Sequence, residues 1–374
     1  MKNILILGGT GAMGTYLVEI MKKSIGGGKI FVTSRSSHIS SDNVVYIKGN
    51  ARDNVFLDNL LCKRFDAIVD FMNYNYDEMA SRVIKLLSST DHYIFFSSCR
   101  VYADSNMPLT EESPRLLETT KDMAFLSTNR YALRKARQEE LIVHSGFHNY
   151  TIIRPYITYS DSRLQLGIYE KEQWLYRILK GRDLVINKNI LYKRTSLTYG
   201  MDVAKVVSKC ISNPSAMDKV IQIASSENKT WYEILKLYLS VIKEKQGITP
   251  QIYVCDKMKA IDEIYEGGYN TIYDRVYNRS FESKQAEKII GMQIQYVGMR
   301  EGLHACISNF LEKNQSFLKI DWKYEAYQDY LLEQHANTEE FLTNGEREIY
   351  ERCYDEASAN AEMHERNLEQ VIIQ

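Results

Sequence analysis

The chain has 374 residues, 44% of them apolar and 25% charged, a globular composition with room for one large core or two modest ones. A formal net charge of -1 gives no general field to gather nucleic acid or an anionic membrane. A charged ligand must therefore be met by a local site, and the expected partner is a small molecule. The opening run KNILIL is too short for a signal-peptide core or a membrane span, so a cytoplasmic protein is expected. Cys62, Cys99, Cys210, Cys255, Cys306 and Cys353 form no CxxC pair and have no histidine at metal-ligand spacing. They read as reduced thiols, and no metal is expected.

The stretch ILILGGTGAMG puts four apolar residues against Gly8, Gly9, Gly11 and Gly14. A buried strand followed by a loop of close backbone approach fits this pattern, with a helix after it over residues 14–23. Two registers remain open, Gly9-x-Gly11-x-x-Gly14 and Gly8-x-x-Gly11-x-x-Gly14. In either, backbone N–H groups and the positive helix end face an anion, and a dinucleotide pyrophosphate suits that geometry. Gly8, Gly9, Thr10, Gly11, Ala12, Met13 and Gly14 are the candidate cradle. The next strand, KIFVTS, ends in Ser34-Arg35 where a dinucleotide fold usually places an acid on the adenosine ribose. Without that carboxylate a ribose 2'-phosphate meets no repulsion, and Arg35 can hold it with two charge-assisted hydrogen bonds. NADP is favoured over NAD.

Further strands, NVVYI, DAIVDFM, HYIFFSS and YTIIRP, alternate with helical spacing over residues 55–63 and 78–87. This rhythm implies right-handed crossovers and a parallel sheet covered on both faces, a doubly wound α/β domain. HYIFFSSCRVY ends on Ser97 and Ser98, whose hydroxyls alternate, so that one of them can look into the crevice beyond the strand ends. The segment NRYALRKARQEE has helical composition and sets Tyr131 and Lys135 four residues apart on one face. A free tyrosine has a pKa of about 10 and becomes a base at neutral pH only beside positive charge. Lowering a phenol by ~2 to 3 units takes roughly 3 to 4 kcal/mol, which a partly desolvated lysine can supply. The pair then serves as a general base for a hydroxyl proton.

After Pro155 the rhythm loosens. A helix with Trp174 and Leu175, a turn at Gly181 and a strand near Leu184 lead to a helix over 202–211, the strand KVIQIAS and a helix over 230–243. The expected division is a dinucleotide-binding domain over 1–160, with 192–225 returning to it, a smaller α/β substrate lobe over 161–330, and a helical extension over 331–374.

The order Gly8-x-x-Gly11-x-x-Gly14, Ser98 and Tyr102 in SSCRVY, Tyr131-x-x-x-Lys135, then Ile153-Arg154-Pro155 resembles the extended short-chain dehydrogenase/reductase superfamily. Within it the chain is similar to the NAD-dependent epimerase/dehydratase family that acts on nucleotide sugars, over roughly residues 1–310. The resemblance implies a Rossmann fold, a nucleotide-sugar substrate and a Ser98, Tyr131 and Lys135 triad. It places Asn50, Ala51, Phe71, Met72 and Pro155, with Tyr131 and Lys135, along the cofactor. It gives Ser98 and Arg194 to the substrate, with Arg275 and Arg279 as other candidates for its diphosphate, and it implies a homodimer formed through helices like those at 77–88 and 122–143. Cys99-Arg100 stands where the family's 4,6-dehydratases carry an Asp-Glu pair, which disfavours water elimination. An epimerase is the leading expectation. A keto-reductase and a catalytically silent cofactor-binding or RNA-associated scaffold are the alternatives.

Overall fold

The computed structural model describes residues 2–256, 268–313, 315–359 and 368–373. The chain divides into two compact units: Met1–Ser160 with Ser196–Glu227 and Ser280–Met299, and Asp161–Thr195 with Asn228–Arg279 and Arg300–Gln374.

The first unit is built on a seven-stranded sheet. Its strands are β1 (Asn3–Leu7), β2 (Lys29–Ser34), β3 (Val44–Lys48), β4 (Ala67–Asp70), β5 (Tyr93–Phe96), β6 (Tyr150–Pro155) and the strand Lys219–Ile223. From one edge to the other the order is Lys219–Ile223, β6, β5, β4, β1, β2, β3. Every pairing is parallel, as in Ile6 beside Val32 and Val69, and Asp70 beside Phe95. The strands are apolar on both faces because both are covered. Ile4, Ile6, Val32 and Val69 pack with Leu17 and Val18 of α1 (Gly14–Ser24) and with Val203 and Val207 of the helix Gly200–Cys210. Leu5, Leu7, Ile68 and Phe95 pack on the opposite face with Leu57 of α2 (Asn54–Leu61), Met79 of α3 (Tyr76–Ala80) and Leu86 of α4 (Val83–Ser88). The sheet order reverses between β1 and β4, which puts the ligand crevice at the carboxyl ends of those strands.

Two details depart from the sequence reading. The single helix expected over 78–87 is two short helices, α3 and α4, broken at Arg82, whose backbone is non-helical at φ -125°. Arg82 leaves the helix because its buried guanidinium donates to the carbonyls of Ala51 and Arg52 and to Asn54 Oδ1, satisfying backbone acceptors at the start of α2. The strand expected through Met72 stops at Asp70, where the carboxylate turns back to accept from the Met72 N–H at 2.9 Å. Two single-turn helices, α5 (Leu116–Thr119) and α6 (Met123–Leu126), precede α7 (Tyr131–Val143).

In the second unit Leu184–Asn187 runs parallel to Ile252–Cys255. The edge strand Glu369–Val371, in the tail expected to be helical, pairs antiparallel with Ile252–Cys255 because the sheet edge offers unpaired backbone groups there. Residues 331–374 otherwise include the helix Asn344–Ala359. Buried Arg177 and Arg182 meet Glu325, Asp329 and Glu340 from the later part of the chain, with Tyr350 donating to Asp329 at 2.7 Å. Burial pushes the Glu325 carboxyl up to about 8 against the pull of both arginines. Among the described residues no helix is long and apolar enough to cross a membrane. All six cysteines are free thiols.

Candidate active site

The glycine loop lies between β1 and α1, and each glycine has its own reason. Gly8 has φ +69°, a conformation that L side chains rarely adopt, and its N–H donates to Thr33 Oγ1 at 2.9 Å. A Cβ on Gly9 would come within 2.8 Å of Ile6 and Val32, and one on Gly14 within 2.7 Å of the Gly9 backbone. Both are demanded by packing. Gly11 is not, since a Cβ there would meet nothing nearer than the Gly8 carbonyl oxygen at 3.8 Å. It faces open space. No side chain caps α1 at Met13, and its first turn carries no acid, so the N–H groups that Thr10, Ala12 and Met13 lead into remain suited to an anion. These features fit a dinucleotide pyrophosphate.

At the end of β2, Ser34 is buried and Arg35 exposed. Ser34 Oγ accepts from the Ser36 N–H and lies 3.0 Å from His38 Nε2, so the turn after Arg35 is held by side chains. Asn50 is exposed and its Oδ1 accepts from the Arg52 N–H, while the Ala51 carbonyl is occupied by Arg82. Phe71 packs on Phe96 with ring centroids 4.2 Å apart, and Met72 Sδ lies 3.0 Å from where a Gly8 Cβ would stand. Pro155 is buried at the end of β6.

The two serines after β5 separate as alternation requires. Ser97 turns inward and its hydroxyl donates to Glu139 of α7, so it belongs to the scaffold. Ser98 begins the short 3-10 turn Cys99–Val101, and its Oγ accepts from the Arg100 N–H at 3.2 Å. Tyr131 is the first residue of α7 and is half-buried. The Arg100 guanidinium lies 4.7 Å from the centroid of its ring and Arg134 5.7 Å away, and the turn Cys99–Val101 packs on α7. Lys135 is buried, donates to the Phe96 carbonyl at 2.7 Å and lies 4.6 Å from the Phe95 ring centroid. Burial pushes its ammonium down to about 8, opposed by the Asp70 carboxylate. Asp70 is itself pushed up to about 6 by burial, against hydrogen bonds from Met72 and Tyr93 and the charge of Lys135.

Residues that sequence reasoning passed over hold this arrangement. Glu139, one turn after Lys135, accepts from Arg154 Nε at 2.9 Å and Nη2 at 2.7 Å, and from Arg115 at 3.2 Å. Arg154 Nη1 also donates to the Tyr102 hydroxyl at 3.0 Å. The SSCRVY and IRP segments are thereby joined to α7. The available signal was an acid at helical spacing from Lys135, together with Asp70 ending an otherwise apolar strand. Arg194 lies in the second unit, where its Nε donates to Asn228 Oδ1 at 2.8 Å. Arg275 and Arg279 are buried there and both bond Asp274.

Compared with solved structures, the chain is similar to the Bordetella bronchiseptica enzyme WbmH in complex with NAD+, at 14% identity and a TM-score of 0.64, over 84% of this chain and 100% of that one. It is similar to the UDP-N-acetylglucosamine 4-epimerase of Methanobrevibacter ruminantium in complex with UDP-N-acetylmuramic acid, at 17% identity and a TM-score of 0.62, over 83% of this chain and 99% of that one. It is also similar to the Bacillus anthracis dTDP-glucose 4,6-dehydratase in complex with NAD, at 16% identity and a TM-score of 0.61, over 84% and 98% of the two chains. At these identities the likeness is one of fold. Comparison with curated proteins gives no match. Residues 4–224, more than half of the chain, match the NAD dependent epimerase/dehydratase family, and the chain belongs to that family of enzymes.

Proposed function

We propose that the protein is a nicotinamide-dependent nucleotide-sugar epimerase whose reacting groups are Ser98, Tyr131 and Lys135. The observation that carries this reading is the gathering of Ser98, Arg100 and Tyr131 beyond the end of β5, with Lys135 bonded to the last carbonyl of that strand. A nicotinamide bound along the glycine loop would supply hydride exchange at a sugar carbinol carbon. Ser98 Oγ holds the sugar oxygen by a hydrogen bond, and the Tyr131 phenolate takes its proton. Inversion needs the proton returned to the same oxygen after hydride comes back on the other face of the carbon, so one base serves both halves.

Arg35, exposed at the end of β2 with no acid beside it, supports NADP over NAD and lends weight to a keto-reductase as the second reading. The diphosphate role of Arg194 and a homodimeric assembly rest on the family resemblance. The test pairs calorimetric titration of NAD(H) and NADP(H) with a turnover screen of UDP-, GDP-, CDP- and dTDP-sugars. Tyr131→Phe is expected to lose ~100-fold or more of the rate while keeping its cofactor affinity. Full turnover in that variant rejects the base. Cofactor binding by the wild type with no turnover of any sugar points to a scaffold instead.

A further inference from the structure

The Lys135 ammonium occupies a position that should not tolerate charge. It is buried against the Phe95 ring and donates to the Phe96 carbonyl, its one hydrogen bond among the described residues. Desolvation acts on such a group to expel its proton. Phe95, however, is the register partner of Asp70 on the adjacent strand, so the two side chains share a face of the sheet. The Asp70 carboxylate, with no exposed surface, is set there by the Tyr93 hydroxyl at 2.8 Å from Oδ2 and the Met72 N–H at 2.9 Å from Oδ1. Tyr74 is buried beside it, with the Arg82 guanidinium 4.6 Å from the Tyr74 ring centroid. We infer that Asp70 is a positioning residue, the counter-ion that keeps Lys135 charged where the reaction uses it.

This rests on Lys135 belonging to the reacting site. The groups that bear on the pair are named by the elements around it. From β5 comes Tyr93, from the segment after β4 come Tyr74 and Arg82, and from α7 come Arg134, which opposes the charge on Lys135, and Glu139, which favours it. Burial pushes Asp70 up to about 6 and Lys135 down to about 8, so both charges coexist only in the interval between. Below it the carboxylate takes a proton. Above it the ammonium loses one. A fold needing only stability would do as well with two apolar side chains, since buried opposite charges seldom outweigh their desolvation cost. Asp70 therefore reads as a residue kept for what it does to Lys135.

The test uses the full chain labelled at lysine Cε and aspartate Cγ and titrated by NMR without cofactor, with Lys135 and Asp70 assigned by the loss of each signal on substitution. Asp70→Asn is nearly isosteric and keeps an acceptor for the Met72 N–H. It should lower the Lys135 midpoint by ~1 unit or more, cutting the charged fraction at pH 8 about fivefold. The alkaline limb of kcat/KM should move down by the same amount. Coupling is reciprocal, so Lys135→Met should raise the Asp70 midpoint equally, and this arm decides the matter if Asp70→Asn does not fold. Midpoints that stay in place in either folded variant overturn the inference. Coupled midpoints in a protein that turns over no sugar would uphold the electrostatic coupling and reject the epimerase reading, so the two failures are separable.

Discussion

A single methyl group at Gly11 should separate cofactor binding from folding. The nearest atom to a Cβ built there is the Gly8 carbonyl oxygen at 3.8 Å, an ordinary contact, and the residue lies outside the left-handed region. Replacing glycine by alanine where the backbone permits it stabilises a protein by about 0.4 to 1 kcal/mol through the unfolded chain. Gly11→Ala should thus melt at or slightly above the wild type, by about 1 to 4 °C for a domain of this size. The contrasting variant is Gly14→Ala, whose Cβ would come within 2.7 Å of three atoms of the Gly9 backbone, so the loop or the helix must move. Overpacking of that kind costs about 1 to 3 kcal/mol and should lower the melting temperature by about 2 to 12 °C. Dinucleotide affinity should fall in both, and in Gly11→Ala by about 10- to 100-fold, or ~1.4 to 2.8 kcal/mol, because the methyl takes the space a pyrophosphate would fill. Thermal melts and calorimetric titration with NADP(H) and NAD(H) read both quantities. Wild-type affinity in Gly11→Ala, or a melting temperature as low as that of Gly14→Ala, would refute the assignment of that space to the cofactor.

Ser97 and Ser98 should respond in opposite ways. Ser97→Ala removes a buried hydrogen bond to Glu139 and is expected to cost about 1 to 2 kcal/mol of stability. Ser98→Ala, which removes only the cap on the Arg100 N–H, should lose turnover by ~10-fold or more at a stability cost no larger than that of Ser97→Ala; a loss of turnover confined to Ser97→Ala would exchange their roles. His92 sets an acid limit on stability. Thr151 Oγ1 donates to the Ala216 carbonyl at 2.6 Å, so His92 Nε2 must be the donor in its 2.7 Å contact with Thr151, leaving Nδ1 to accept from the Ser212 N–H at 3.1 Å. A second proton would put two donors face to face, and burial already lowers this histidine to about 4. Its folded value lies below the unfolded value near ~6.5, so its contribution is full above that pH and is lost as pH falls toward 4, by up to about 3 kcal/mol. Denaturant melts across pH 4 to 7 should show the slope, and His92→Gln should flatten it; an equal slope in the variant would exclude His92 as the cause.

The sheet was legible because its strands are continuous apolar runs, the mark of burial on both faces, and β2 and β6 begin and end where KIFVTS and YTIIRP do. The glycine loop between β1 and α1 was legible for a different reason, since Gly8, Gly11 and Gly14 follow one strand end directly. What escaped was long-range pairing. Arg82 breaks a helix to satisfy carbonyls some thirty positions earlier, and no periodicity in residues 78–87 encodes that. The choice between Ser97 and Ser98 depended on Glu139 standing behind one of them. The cations at the Tyr131 ring were not fully foreseen: beside the expected Lys135, whose ammonium reaches the Phe96 carbonyl and the Phe95 ring, the guanidiniums of Arg100 and Arg134 lie at that ring. Arg100 is distant from Tyr131 in sequence, and only the turn at Cys99–Val101 brings it there.

The Glu139 cluster would hold the proposed reacting groups at their spacing although they come from separate segments. Glu139 is one turn beyond Lys135 on the helix that Tyr131 begins, and its two carboxylate oxygens are taken by Ser97, Arg154 and Arg115. Arg154 extends the link to Tyr102. Ser98 lies between Ser97 and Tyr102 in the chain, so its segment is tied on both sides to the helix that carries the phenol. Buried charge is a poor source of net stability, and an apolar cluster of similar volume would fold at least as well. An apolar cluster is also tolerant of sliding, whereas a carboxylate bonded by two nitrogens of one guanidinium fixes distance and angle together. Chemistry that depends on placing a hydroxyl, a phenol and an ammonium to within ~1 Å needs the second kind of contact. The buried ions therefore stand where a shift of one segment against α7 would separate Ser98 from Tyr131.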